Sequence, residues 1–134
     1  MKKTGILNAQ LAGYIAGLGH KEQFLIGDAG MPVPKGIPIV DLVLCGGIPS
    51  FQQVVDAVLE ETVVEGYVVA KEMQQENPRM ARYLHSKLAW LPVQEVPHTE
   101  LKQQTENVKF AIRTGEFTPY ANVILQAGVA FSNE

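Results

Sequence analysis

Residues 39–70 read IVDLVLCGGIPSFQQVVDAVLEETVVEGYVVA, and this stretch carries a strand, a helix and a second strand in succession. Ile39-Val40-Asp41-Leu42-Val43-Leu44 is dominated by β-branched and aliphatic side chains, which predicts a strand. Cys45-Gly46-Gly47-Ile48-Pro49 then supplies turn residues, and Ser50 stands three positions before Gln53, the spacing of a helix capping box. From Phe51 to about Glu61, Val54, Val55, Val58 and Leu59 recur at helical spacing, so one face of that helix is buried. Residues 63–70 return to a β-branched run and predict another strand. Such a strand–helix–strand succession is the building unit of a sheet covered by helices.

Working outward, Asn8 can cap a helix carrying Leu11, Tyr14, Ile15 and Leu18, with Gly19 placed to end it in a left-handed conformation. Phe24-Leu25-Ile26 predicts a buried strand running into Gly27-Asp28-Ala29-Gly30-Met31-Pro32-Val33-Pro34, a glycine- and proline-punctuated loop. Asp28 thereby stands at a strand's carboxyl end. On the other side, Asn77-Pro78 opens a helix through Met80, Leu84 and Leu88 that ends near Trp90. Residues 91–96 alternate as a strand does. Thr99 can cap a helix with Leu101, Val108, Lys109 and Ile112, terminated by Gly115, and residues 122–125 predict a last strand. The expectation is one α/β domain over residues 1–134, a three-layer arrangement with a central sheet and helices on both faces. Ligands of such sheets collect at the carboxyl ends of strands, where His20, Asp28, His98, Tyr120 and Asn122 are free to converge.

A chain of 134 residues supports one core, and folding at this size buries about two-thirds of the surface that the unfolded chain exposes. Its hydrophobic content of 46% exceeds what that core needs, which predicts self-association. The net charge of -3, with no segment rich in Lys or Arg, argues against a nucleic-acid partner. No run of about 18 apolar residues exists to cross a membrane, and residues 1–10 do not form a signal-peptide core, so a cytoplasmic location is expected. Cys45 is the one cysteine, leaving no internal disulfide and no thiolate cage.

Each polar candidate has two readings. His20 follows a helix stop and can exchange protons near neutral pH, since an unperturbed imidazole titrates at about 6.5; equally, it can simply meet the helix-terminal carbonyls. Asp28 can accept hydrogen bonds from two sugar hydroxyls or orient an imidazole; equally, it can close an Asx turn. His98 is a loop histidine beside a helix cap, and Lys102 lies one turn after it, so both can look into one cleft or into solvent. Tyr120 and Asn122, two apart at a strand's start, offer an aromatic platform and an amide for hydroxyl recognition, or a core ring and a turn residue. His85 reads as part of a solvated helix face, Arg113 as a cation at a helix end, and Cys45 as a small buried residue. No nucleotide, zinc or nucleophile-elbow motif is present, so neither a metal nor a cofactor is expected.

Three strings taken together are more specific: Gly19-His20 ahead of an apolar strand, Asp28-Ala29-Gly30-Met31-Pro32, and Arg113-Thr114-Gly115-Glu116-Phe117-Thr118-Pro119-Tyr120-Ala121-Asn122-Val123-Ile124-Leu125. The pattern closely resembles the D-ribose pyranase family, the ribose-operon relatives of the L-fucose mutarotases. The likeness runs from Lys2-Lys3-Thr4-Gly5 to Phe131, with the last string the most specific and residues 71–90 the least. The resemblance implies a cofactor-independent isomerase that interconverts pyranose and furanose forms of D-ribose. It also implies a ring-shaped homo-oligomer, usually a decamer of two stacked pentamers, with sites at subunit contacts. Carried over by position, His20 is the proton donor; Asp28, His98, Tyr120 and Asn122 bind substrate, Ala121 contributes backbone, and Lys102 is a weaker carry-over.

Those residue types suit the chemistry. Opening a cyclic hemiacetal needs a proton delivered to the ring oxygen while another leaves the anomeric hydroxyl. One titratable group beside a hydroxyl-binding cradle suffices, because acid–base catalysis contributes about 10² to 10⁴ in rate. A mutarotase for another sugar such as L-fucose, or a sugar-binding module without catalysis, uses the same cradle; only the enzymes need the titratable His20.

Overall fold

Side chains alternate across the sheet, and the alternation divides the core in two. The structure, a computed structural model, describes residues 1–131, so residues 132–134 of the expected domain lie outside the described residues. Its strands are β1 (Gln23–Gly27), β2 (Ile39–Asp41), β3 (Val64–Ala70), β4 (Val93–Val96), β5 (Ala111–Arg113) and β6 (Val123–Ala127). They form one sheet in the order β2-β5-β1-β6-β3-β4. Phe24, Ile26, Val40, Tyr67, Val69, Ile112, Val123 and Leu125 point to one side, against α1 (Ala9–Ala16), α2 (Phe51–Glu61) and α4 (Pro78–Lys87). Leu25, Val68, Ala70, Ala111 and Ile124 point to the other, against Leu101 of α5 (His98–Gln104), Met31 and Val108. The protein is therefore an α/β fold with helices on both faces of a central sheet.

Local signals account for the helices. Asn8 accepts the Leu11 amide at 2.9 Å, and Ser50 and Gln53 form both bonds of the capping box at the head of α2. α2 then spans the expected residues and buries Phe51, Val54, Val55 and Val58 against the sheet. Phe110 stacks between Tyr14 and Phe24, with ring centroids 5.0 and 5.1 Å away, and joins α1 to β1.

Several expectations fail for identifiable reasons. Residues 99–113 are not one helix: α5 stops at Gln104, a 3₁₀ turn covers Thr105–Asn107, and β5 occupies Ala111–Arg113. Thr105 turns its hydroxyl back onto the Lys102 carbonyl, a local bond that competes with helix continuation, and the groove between β1 and β2 takes the next apolar residues as a parallel strand. Arg113 accordingly ends a strand, and α5 begins at His98, before Thr99 can cap it. β2 stops at Asp41 because its partner β5 is three residues long; beyond it, Leu44 bonds back to Ile48 in a tight turn. α1 is capped by Gly17 in right-handed geometry, and Lys21, at φ 71, takes the left-handed position expected of Gly19. Tyr120 and Asn122 precede β6 and do not share a strand face. The short helix α3 (Glu72–Glu76) has no counterpart in the sequence reading.

Removing the Phe110 ring should cost about 3–5 kcal/mol, the range for truncating a buried aromatic. Urea denaturation of Phe110→Ala at fixed protein concentration measures it, and a loss under about 1 kcal/mol would mean the aromatic stack contributes little.

Candidate active site

Strand direction decides which residues can meet. β1 is parallel to β5, β5 to β2, and β3 to β4, whereas β6 runs antiparallel to both β1 and β3. The carboxyl ends of five strands and the amino end of the sixth therefore share one edge of the sheet. Asp28 follows β1, His98 follows β4 after Pro97, and Asn122 immediately precedes β6, so the three arrive together as expected.

Asp28 and Asn122 hold each other reciprocally. The Asp28 amide donates to Asn122 Oδ1 at 2.8 Å, and Asn122 Nδ2 donates to Asp28 Oδ2 at 3.1 Å. This double bond fixes which way the buried amide points, since only one orientation offers an acceptor to the backbone and a donor to the carboxylate. Asp28 Oδ1 meanwhile accepts the Gly30 amide at 2.9 Å, so the Asx turn and the site coexist on one side chain. Gly27 suits the close approach: a Cβ there would lie 3.0 Å from Asn122 Oδ1 and from Met31 Cβ, so one of them would have to give way. Fully buried Thr114 donates to the Gly27 carbonyl at 2.8 Å and locks the strand end from the β5 side.

His98 meets Tyr120 edge to face, ring centroids 5.1 Å apart. Tyr120 holds φ 57, a left-handed conformation that costs a non-glycine residue about 1–2 kcal/mol and so must be imposed by its surroundings. Burial first, then the Lys102 ammonium, push the His98 imidazole below its ordinary value, while the Glu72 and Asp28 carboxylates pull it the other way. Its Nδ1 is buried and has no hydrogen-bond partner within the described residues. Ala121, between Tyr120 and Asn122, is fully buried.

His20 does not join them. It precedes β1 and so sits at the opposite edge of the sheet from Asp28, with the five residues of β1, roughly 16 Å at about 3.3 Å each, between. There its Nε2 lies 3.0 Å from Glu65 Oε2, and Gln126 donates to Glu65 Oε1 at 2.8 Å. The bond from Gln126 and that from His20 lower the Glu65 carboxyl below its usual value. Five of the six expected side chains thus gather around one edge, and the sixth faces solvent at the other.

The chain matches the RbsD / FucU transport protein family over residues 1–130. It belongs to that family. A D-ribose pyranase of Streptococcus agalactiae serotype Ia is 52% identical over 130 residues, which cover 96% of this chain and 98% of the relative. The D-ribose pyranase 2 of Streptomyces griseus subsp. griseus is 50% identical over 98% of this chain and all of its own. Among solved structures, Bacillus subtilis RbsD complexed with D-ribose is 46% identical with a TM-score of 0.94, covering 98% of this chain and 100% of that one. The fucose mutarotase of Streptococcus pneumoniae in complex with L-fucose shares the fold, at 15% identity and TM-score 0.79 over 93% of this chain and 95% of its own.

In this RbsD / FucU chain an open cleft of about 530 Å³ passes Asp28, between Ala29-Gly30 on one wall and Thr118-Pro119 on the other. Arg113 and Glu116, which the sequence reading left out of the site, line it. Arg113 Nε donates to the Ala29 carbonyl at 3.0 Å and its Nη1 reaches Asp41, so it holds the Asp28 loop from β5. Glu116 accepts the Phe51 amide at the head of α2 and the Thr118 hydroxyl, while its backbone carbonyl accepts the Ala29 amide. His85 is exposed on α4, and Cys45 is exposed in the turn after β2 where a buried residue was expected. Among the described residues no group of three or more His, Cys, Asp or Glu is arranged to hold a metal ion, and no helix is long and apolar enough to cross a membrane.

The depressed His98 value has a measurable sign. Folding favours its neutral ring, so the stability it contributes is complete above its ordinary 6.5 and is lost as pH falls through the folded value. Melting temperature should therefore decline more steeply on acidification below that point in the wild type than in His98→Gln. Parallel curves would show that His98 titrates as it does in an unfolded chain.

Proposed function

We propose that this chain interconverts the pyranose and furanose forms of D-ribose, acting in the cytoplasm as a homodecamer whose sites are completed across subunit contacts. The observation that carries the reading is the reciprocal Asp28–Asn122 pair beside His98 and Tyr120, in a chain 46% identical to an RbsD solved with D-ribose. Carboxylate, amide, imidazole and phenol are the groups that recognise a polyhydroxyl ligand by fixed hydrogen bonds. Asp28, His98, Lys102, Tyr120, Asn122 and the Ala121 backbone form the cradle.

In the reaction, His20 donates a proton to the ring oxygen as the C1–O bond breaks and the anomeric hydroxyl gives up its own. The open-chain aldehyde is then attacked by the C4 hydroxyl, whose proton returns to His20, while the carbonyl oxygen regains from solvent the proton that the anomeric hydroxyl released to it, and the furanose closes. Protons balance, and no oxidant, reductant or carrier is consumed. One chain keeps His20 and the cradle at opposite edges of the sheet, so this reading requires the His20 of one subunit to face the cradle of another. Exposed Ile39, Leu44, Ile48, Phe117, Trp90 and Val93 supply apolar surface for such contacts.

Exchange spectroscopy of D-ribose at equilibrium, with L-fucose and galactose as controls, tests the activity. His20→Ala should slow pyranose–furanose exchange by about 10²- to 10⁴-fold, the usual contribution of one general acid, while ribose binding weakens much less. Equal rates in an intact oligomer would remove His20 from the mechanism. Light scattering should give a mass many times that of one chain, and a monomer at micromolar concentration would overturn the shared-site arrangement.

A further inference from the structure

Asn77 precedes Pro78, where an asparagine ordinarily turns its side chain onto the first amides of the helix it opens. Here it forms no such cap. Its Nδ2 donates instead to Thr118 Oγ1 at 2.9 Å and to the Pro119 carbonyl at 2.8 Å, which commits both amide protons to the loop that delivers Tyr120. The side chain is buried, at 8% exposure, so neither bond is exchanged cheaply for water. At the other end of α3, Glu72 behaves in a parallel way. Its two carboxylate oxygens lie 3.1 and 3.2 Å from the His98 amide. α5 starts at His98 behind Pro97, which offers no side-chain cap, so Glu72 satisfies a first-turn amide that the flank of α5 leaves open.

We propose that Glu72 and Asn77 are positioning residues of the sugar site, with α3 serving as a bracket whose one end sets His98 and whose other end sets Tyr120. The claim takes only the identity of the ligand from the functional reading above. Anchoring the Pro119 carbonyl fixes the peptide plane that enters Tyr120, and the Asn122 amide bonded to the Tyr120 carbonyl at 2.9 Å fixes the plane that leaves it. The left-handed φ of 57 is thereby held from both sides. Because His98 and Tyr120 hang from one five-residue helix, a shift of α3 carries both rings together and preserves their edge-to-face contact. Glu72 and Asn77 both lie in the part of the chain where the likeness is least specific, and they act on groups of two other segments.

Four variants test the bracket: Glu72→Ala, Glu72→Gln, Asn77→Ala and Asn77→Asp. Glu72→Gln keeps an acceptor for the His98 amide and loses only charge, whereas Asn77→Asp loses the donors that Thr118 and Pro119 need. In ribose-free protein, NMR titration should show the His98 midpoint falling in both Glu72 variants. The carboxylate that favours the imidazolium is then gone, while Lys102 and Asp28, the other charges acting on that ring, remain. With D-ribose, Glu72→Ala, Asn77→Ala and Asn77→Asp should raise KM about tenfold with kcat nearly unchanged, and Glu72→Gln should restore KM. An unmoved His98 titration with unchanged KM would overturn the proposal. So would a joint collapse of KM, kcat, melting temperature and oligomeric mass, which marks a purely structural role. If the wild type shows no ribose exchange, the functional reading fails, and the His98 titration with the Tyr120 ring signals decides the bracket without it.

Discussion

β6 runs against both of its neighbours, and the rest of the molecule is arranged around that reversal. Val123, Ile124 and Leu125 are fully buried between β1 and β3, so the strand joins two parallel groups that otherwise share no pairing. A parallel strand at this position would carry Asn122 to the far edge of the sheet, away from Asp28. The reversal brings the amino end of β6 beside the carboxyl end of β1, where amide and carboxylate close their double hydrogen bond. It also sends Gln126 to the other edge, where its amide orients Glu65 beneath His20. Both halves of the proposed chemistry thus depend on the direction of one five-residue strand.

Around the Asp28 edge, rigidity comes from bonds between loops more than from loop length. Arg113 and Glu116 tie the segment after β1 to β5 and to the head of α2. Asn77 and Glu72 tie the Tyr120 and His98 segments to α3. These are backbone groups satisfied by side chains from distant parts of the chain, which leaves the carboxylate, amide and phenol of the cradle with few alternative arrangements.

Much of the fold is legible in sequence where the determinants are local. The Ser50–Gln53 box, the Asn8 cap and the apolar spacing of α2 are interactions within four residues, and each is found as expected. β5 was hidden because Ala111-Ile112-Arg113 becomes a strand only through β1 and β2 on either side, while Leu101 and Val108, seven apart, imitate a continuing helix. Asp28 and His98 could be placed together because loops at strand carboxyl ends converge, whereas Tyr120 and Asn122 reach the same edge because β6 runs antiparallel to its neighbours. His20 lies at the other edge because it and Asp28 flank the same strand, a separation already present in the sequence as the apolar run Phe24-Leu25-Ile26 between them. Glu72 and Asn77 escaped because their partners, two backbone groups and the Thr118 hydroxyl, lie far away in the chain.

Asp28 and Asn122 are separated by 94 positions, and the sheet's central strand comes after nearly everything it joins. A ribosome delivers β1 and β3 long before residues 123–127 emerge, so the nascent chain holds two apolar strand groups whose shared neighbour has not yet been made. Phe24 can meet Phe110 and, through it, Tyr14, and β3 can pair with β4, but the edges of β1 and β3 that face β6 have no native partner during that interval. Pairing over such sequence distances is the feature that slows folding in general, and it leaves the inner edges of β1 and β3 without their native neighbour until residues 123–127 are made.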